Sequence, residues 1–382
     1  MPGPQPKGVS RPVNLFVGQP TASASLNITD YVPLETMTLE ESGNYERSTL
    51  TFEFLDNVHS IGSNPFASFN NWIVDKGSVR LAQGADELFR GFIQQRKITI
   101  EGISRRIAVT ATDISVLLDK TIVDPVVTRK NGESDRQRIQ WLLATYGQAF
   151  VTAGSSDNSM IQTLQATMPD QKFSNLTLRQ AIERVLGAAS TSANYYIDPT
   201  GRLHTFDTSN PETFPAPYAI NVTPLPSASE VAPEDLEIEF DSENLIDYYR
   251  IRGKNAAGTV PRSTATSIAT YGLWQAFADA PDADTVAKGN AVGDAYLNDT
   301  NVPTPRGSFS VQGTSCVNAS GDRWRSGQKV TITSAAHGVS ATSYRITRLT
   351  TTWLSGLGVR KMEVEFGGNR RQVKSGNTIQ NG

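Results

Sequence analysis

The chain has 382 residues, 38% hydrophobic and 19% charged, with a formal net charge of -3. That length exceeds what one hydrophobic core holds, so two or three domains are expected, and the near-neutral charge gives no electrostatic reason for nucleic-acid or anionic-membrane binding. The single cysteine, Cys316, excludes an internal disulfide and a thiolate metal site that needs several partners.

The N-terminal "MPGPQPKGVSRP" has no apolar core of a signal peptide, and no stretch approaches about 18 uninterrupted apolar residues. A soluble protein, unexported by the usual signal, is therefore expected, and the Asn-x-Ser/Thr triplets at Asn27 and Asn221 are chance matches. After this arm the polarity alternates with a period of two. Leu50, Phe52 and Phe54 oppose Thr51 and Glu53; Ile98 and Ile100 oppose Lys97, Thr99 and Glu101; Ile107 and Val109 oppose Arg106, Ala108 and Thr110. These predict half-buried antiparallel strands, and turns at Gly77, Gly84 and Gly102 favour a barrel or sandwich over βαβ units.

Helical spacing begins at "SDRQRIQWLLATYG". Ser134 and Gln137 have the form of a capping box, Ile139, Leu142, Leu143 and Tyr146 make a stripe, and Gly147 supplies a stop. A second box at Thr177 and Gln180 opens a helix with an apolar stripe of Leu178, Ile182, Val185, Leu186 and Ala189. "ANYYID" and "GRLHTFD" then flank "PTG", where Pro199 presets φ and Gly201 accepts a positive one, which predicts a hairpin. Helices and hairpin together form a small α+β insert.

A Pro-rich linker leads back to strands. Leu236, Ile238 and Phe240 oppose Glu237, Glu239 and Asp241. A helix at about 281 to 298 carries a small-residue stripe of Ala287, Ala291 and Ala295. Strands resume through "GQKVTITSA", "SYRITRLTTTW" and "RKMEVEFGG", the last alternating Met362, Val364 and Phe366 with Lys361, Glu363 and Glu365. The tail after Gly368 is polar, with Arg370, Arg371 and Lys374 and no acids.

Little in this pattern points to chemistry. His59, His204 and His337 lie far apart without metal-ligand spacing. No nucleophile elbow or phosphate-cradling Gly-x-x-x-x-Gly-Lys-Ser/Thr loop occurs. Cys316 has no neighbouring base and reads as a small buried hydrophobe. Glu230, Glu234, Asp235, Glu237, Glu239, Asp241, Glu243 and Asp247 offer the paired carboxylates a glycosidase requires. The every-second-residue recurrence of Glu237, Glu239 and Asp241 is that of a solvated strand face, or alternatively of an acidic lining past which a polyanion slides. No catalytic, cofactor-binding or metal residue is therefore nominated.

The order of the motifs is informative. "NLTLRQAIERVLGAASTSANYYIDPTGRLHTFD", "DSENLIDYYRIRGKN", "YGLWQAF", "WRSGQKVTITSAAHGVSATSYRITRLTTTW" and "MEVEFGG", preceded by "LFRGFIQQRKITIEGISRRIAVTATDISVLLDKTIV", resemble the tail hub proteins of bacteriophages over roughly residues 45 to 367. The resemblance implies a mainly β fold of two barrel domains with a helix-hairpin insert. The N-terminal arm and first barrel span 1–125, the insert 130–215, the second barrel 235–367 and a flexible tail 368–382.

The same resemblance implies a structural baseplate hub, or minor tail protein, at the virion tail tip, assembled in the host cytoplasm and serving host-cell entry. A homotrimeric ring would adapt the six-fold tail to a three-fold tip and contact the distal tail protein ring, the tape-measure C-terminus and fibre or receptor-binding proteins. Genome DNA would pass through without specific binding. The family supplies no catalytic residues here, and an end soon after "VEFGG" argues against a built-in lysin. Two other readings compete: a cell-wall hydrolase or esterase, and a host-glycan-binding module using Trp72, Trp274 and Trp353.

Overall fold

The computed structural model describes residues 12–20, 23–42, 47–57, 73–84, 86–101, 104–124, 126–129, 132–147, 161–190, 193–207, 216–223, 226–242, 245–253, 259–280, 285–300, 304–318, 322–354 and 359–367. The fold is mainly β with an α+β insert. One 14-stranded sheet runs through both ends of the chain and curls into two half-barrels.

The first half-barrel orders its strands as Leu26–Asn27, Val13–Gly18, Ser78–Gln83, Asp86–Glu101, Ser104–Asp113, Thr49–Asn57 and Thr38–Ser42. The expected alternation holds at its centre, where Leu50, Phe52, Phe54, Ile107 and Val109 are all buried. It fails at one end: Ile98 is 49% and Ile100 73% exposed. Periodicity reports which way a side chain points, whereas exposure depends on whether another layer lies over it.

The second half-barrel orders Leu236–Asp241, Thr304–Gln312, Val359–Gly367 and Val339–Leu354, continuing through Lys329–Ser334, Ala219–Asn221 and Glu230–Val231. Met362, Val364 and Phe366 are buried as predicted, but Phe240 is 57% exposed. Gly307 is required by close approach: a Cβ there would stand 1.9 Å from the Glu237 carbonyl oxygen.

The strand Val339–Leu354 is the seam between the halves. Its first residues pair with Lys329–Ser334, while Arg348–Thr352 pair with Ser42–Thr38 of the first half. At about 3.3 Å per residue it reaches roughly 50 Å, enough to cross both halves. Trp353 consequently sits in the first core, 1% exposed, among residues such as Leu39, Phe52 and Leu81.

The insert has its own core. The short helix α1 (Val116–Lys120), at the end of the first-half segment, packs against the insert helices α2 (Asp135–Tyr146) and α3 (Leu178–Ala189) and their hairpin Ala193–Ile197 and Leu203–Asp207. Both expected capping boxes form, Ser134 with Gln137 and Thr177 with Gln180, each worth about 1 kcal/mol. Leu178, Ile182, Val185 and Leu186 are buried, at about 1.5–3 kcal/mol per side chain. Gly201 has φ +90°, as its turn requires.

A fourth cluster joins the three-stranded sheet Thr259–Ser263, Tyr248–Gly253, Gln275–Ala280 to a longer helix that follows a short one, α4 (Ala265–Tyr271). The longer helix, α5, spans Val286–Thr300. Ala287 is exposed, whereas Gly289, Gly293 and Leu297 are buried. A Cβ at Gly293 would approach Arg262 Cγ to 2.4 Å and Ile251 Cγ1 to 3.1 Å, so a backbone with no side chain allows the helix to lie close to the sheet.

Candidate functional site

The groups that sequence reasoning weighed for chemistry do not converge. The Cys316 thiol is fully buried against the carbonyls of Val311 and Arg360, and burial pushes it up to about 12, so it holds its proton at neutral pH. His337 Nδ1 lies 2.8 Å from Ser334 Oγ, in a tight turn. His59 lies outside the described residues. Glu237 and Glu239 are exposed, and Glu239 pairs with Arg306 at 3.0 Å. Asp247 departs from the acidic face: it is buried, and its Oδ1 accepts from the Trp274 backbone N–H at 2.8 Å. Glu243 lies outside the described residues. Among the described residues no group of three or more His, Cys, Asp or Glu is placed to hold a metal, and no helix is long and apolar enough to cross a membrane.

The aromatic residues proposed for glycan contact also divide. Trp353 is core, which removes it from any exposed platform, and Trp72 lies outside the described residues. Trp274 is 54% exposed beside Leu273 at 54% and Tyr271 at 41%. Its Nε1–H donates to the Tyr271 carbonyl at 2.9 Å, which fixes the ring on a turn where Gly272 has φ +87°.

His204 does more than fill an alternating polar position. Its Nε2 lies 3.0 Å from Asp198 Oδ2 across the hairpin turn, and its ring stacks on Tyr196 with centroids 4.6 Å apart. Burial raises Asp198, but hydrogen bonds from His204, Thr200 and the Arg202 backbone outweigh it and bring the carboxyl down to about 2. Burial pushes the Tyr196 phenol up to about 12.

The polar groups that do converge lie where insert, first half and second half meet. A cleft there is lined from the first half by Glu41 and Arg90, from the insert by Arg179 and Tyr196, and from the second half by Arg325 and Arg345. Around it, Arg179 Nε donates to Asp119 at 2.8 Å, its other nitrogens reach Tyr195 Oη and Ser115, and Arg47 also holds Asp119. Asp119 is raised by burial but brought below the usual carboxylate range by the two arginines. Arg323 is 5% exposed and donates to Glu41 at 3.1 Å and to the Leu88 carbonyl at 3.4 Å. Burial lowers its guanidinium to about 10 against the pull of Glu41.

Chemically, this arrangement clamps modules together. Nearly dry ion pairs with defined geometry are poor proton donors or acceptors and hold one relative placement of the elements that carry them. Sequence reasoning missed Arg179 and Arg323. Arg179 carries a faint signal, a cation three residues before Ile182 on a helix whose apolar face surrounds it. Arg323 carries none, because Glu41 lies 282 positions away.

The fold is similar to that of solved prophage tail proteins. No protein-family model matches the chain, and no curated protein matches it by sequence. Among solved structures, the 43 kDa tail protein of prophage MuSo2 from Shewanella oneidensis aligns with 94% of this chain and 99% of its own, at 10% identity and a TM-score of 0.69. A tail protein from Neisseria meningitidis MC58 aligns over 93% and 96% of the two chains, at 13% identity and a TM-score of 0.62. A prophage tail protein from Listeria monocytogenes EGD-e covers 94% of this chain and 95% of its own, at 11% identity and a TM-score of 0.59.

Proposed function

We propose that this chain is a structural hub of a phage-type tail, acting as a homotrimeric ring at the tail tip with no reaction to perform. The observation that carries this reading is the shared fold, which extends over nearly the whole of this chain and of the prophage tail proteins. The clamped junction supports it, since a load-bearing ring needs modules that do not swing. We assign the first barrel to 1–125, the insert to 130–215 and the second barrel to 235–367. The arm ending at Pro12 and the tail 368–382 dock neighbours: the distal tail protein ring, the tape-measure C-terminus and fibre or receptor-binding proteins. Genome DNA passes along the axis without specific contacts.

Imaging of purified tails tests the proposal. A three-fold ring of this chain at the distal end is expected; its absence from tails overturns the hub role. Deleting residues 369–382 should lower the yield of complete tails without unfolding the chain. A second reading, contact with a host glycan, is favoured by the exposed Tyr271, Leu273 and Trp274. Trp274→Ala should then abolish glycan binding by the purified protein, and no measurable binding by the unaltered chain removes the idea.

A further inference from the structure

The cleft where the three modules meet holds a cation that its own acids do not neutralise. Three acids and four arginines line it. The acids are all engaged from within the fold. Glu41 accepts from Arg323 at 3.1 Å, Asp198 lies 3.0 Å from His204, and Asp113 accepts from the Ser48 and Ser115 backbone N–H groups at 2.7 and 3.0 Å. Two of the arginines are engaged as well: Arg90 makes a two-pronged pair with Glu87, at 2.7 and 3.0 Å, and Arg179 donates to Asp119. Arg325 differs. Among the described residues no carboxylate pairs with it, and it stands half-buried in the cleft. The buried Arg345 brings a second positive charge to the same space.

The loop that carries Arg325 is held in place. In "RWRSGQ", from Arg323 to Gln328, the buried Gln328 side chain accepts the Arg325 backbone N–H at 2.7 Å and donates to the Arg323 carbonyl at 3.2 Å. Gly327, at φ +87°, donates its N–H to the Ile346 carbonyl at 2.8 Å. Trp324 is anchored in the core of the second half, with its Nε1–H on the Ser315 carbonyl. Three successive side chains therefore go three ways: Arg323 to Glu41, Trp324 to the core and Arg325 to the cleft. Gathering guanidinium charge in this way has a cost. Burial, and then the like charges of Arg325 and Arg360, lower Arg323 to about 10 against the pull of Glu41. An anion brought into the cleft relieves that repulsion.

The surroundings narrow the kind of anion. A guanidinium fork matches a carboxylate in plane and spacing. Glu41, Asp113 and Asp198 also line the cleft, and their like charge repels a dianion more than a single carboxylate. Its apolar part, Ile197 and Pro199 of the hairpin turn with Phe206, suits the methylenes of a side chain and an apolar neighbour.

We propose that this cleft binds a glutamate or aspartate side chain, flanked by an apolar residue, on an acidic segment of a partner protein, with Arg325 as the anchor and Arg345 in support. The preset loop lowers the ordering cost of that contact. The site needs no ring, so it stands or falls apart from the hub reading.

Fluorescence anisotropy of the full chain with a capped, labelled peptide of alternating Glu and Leu tests the site. The peptide should bind, and added salt should weaken it. Its counterpart with Gln in place of every Glu should bind about tenfold or more weakly. Arg325→Gln should lose about the same factor with melting unchanged, since the side chain makes no ion pair among the described residues. Arg325→Lys, which keeps the charge without the fork, should recover part of the loss. Absence of binding at millimolar chain, equal binding of the Gln peptide, or unchanged binding by Arg325→Gln each overturns the proposal. Displacement of the peptide by equimolar inorganic phosphate marks a general anion sink and overturns it as well.

Discussion

The two half-barrels each contain a 16-residue strand, Asp86–Glu101 in the first and Val339–Leu354 in the second. Each strand slips register beside its eighth residue, between Ile93 and Gln95 in one and between Ile346 and Arg348 in the other. A slip of this kind bends the strand and lets a sheet curl. The same device ends differently in the two halves. Val339–Leu354 pairs with three strands in turn and has neighbours on both sides over Arg348–Thr352, while Asp86–Glu101 loses its Ser78–Gln83 partner after Phe92 and, among the described residues, runs on with one neighbour. One long strand is spent on joining the chain to itself. The other ends with one edge that no described strand pairs with.

Removing the joint between the halves should have the largest effect. Arg323→Ala strands Glu41, which is only 12% exposed, without its cation and should lower stability by about 3–5 kcal/mol. Denaturant titration measures it, and a loss below about 1 kcal/mol would show that the halves do not depend on this pair. Next come the two pinch points. Gly307→Ala drives a Cβ to 1.9 Å from the Glu237 carbonyl, and Gly91→Ala drives one to 2.1 Å from the Thr112 carbonyl. Backbone cannot yield as a flexible side chain does, so each should cost about 2–3 kcal/mol. Unequal costs would show which half is the less yielding.

A smaller effect follows from pH. Asp198 falls from 3.8 to about 2 on folding, so its contribution is complete above the unfolded value and is lost as pH drops through about 2. Discounted for partial solvent contact, it amounts to about 1–2 kcal/mol. Asp198→Asn should flatten the acid limb of stability between pH 4 and pH 2, and an unchanged limb would place the acid sensitivity elsewhere. Smallest of all is Trp274→Ala, at a half-exposed position in the second part of the chain, which should shift stability by no more than about 0.5 kcal/mol.

Where local rules suffice, the sequence was legible. Two capping boxes, the α2 and α3 stripes, the Pro199–Gly201 turn and the alternation around Phe52, Val109 and Val364 each depend on residues within a few positions of one another. Long-range partners were not legible. Nothing near Trp353 says that it belongs to a core built from residues 13 to 111, and nothing near Ile100 or Phe240 says that they stand exposed. Small residues of two kinds alternate along α5, and only the approach of Arg262 and Ile251 reveals that Gly293 faces the sheet. The candidate chemistry was legible mainly as an alternation of charge at Glu237 and Glu239; the clamps at Arg179 and Arg323 needed coordinates.

The seam also sets the order in which the chain comes together during synthesis. Thr38–Ser42 emerges from the ribosome early, yet its neighbour strand and the indole that fills its core arrive some 300 residues later. The first half-barrel must therefore wait, incomplete, until translation has passed Trp353, and closing so long a loop makes the final step slow. Premature termination anywhere upstream leaves Thr38–Ser42 paired only with Thr49–Thr51 and bare along its other edge, so truncated products should be captured by chaperones or aggregate.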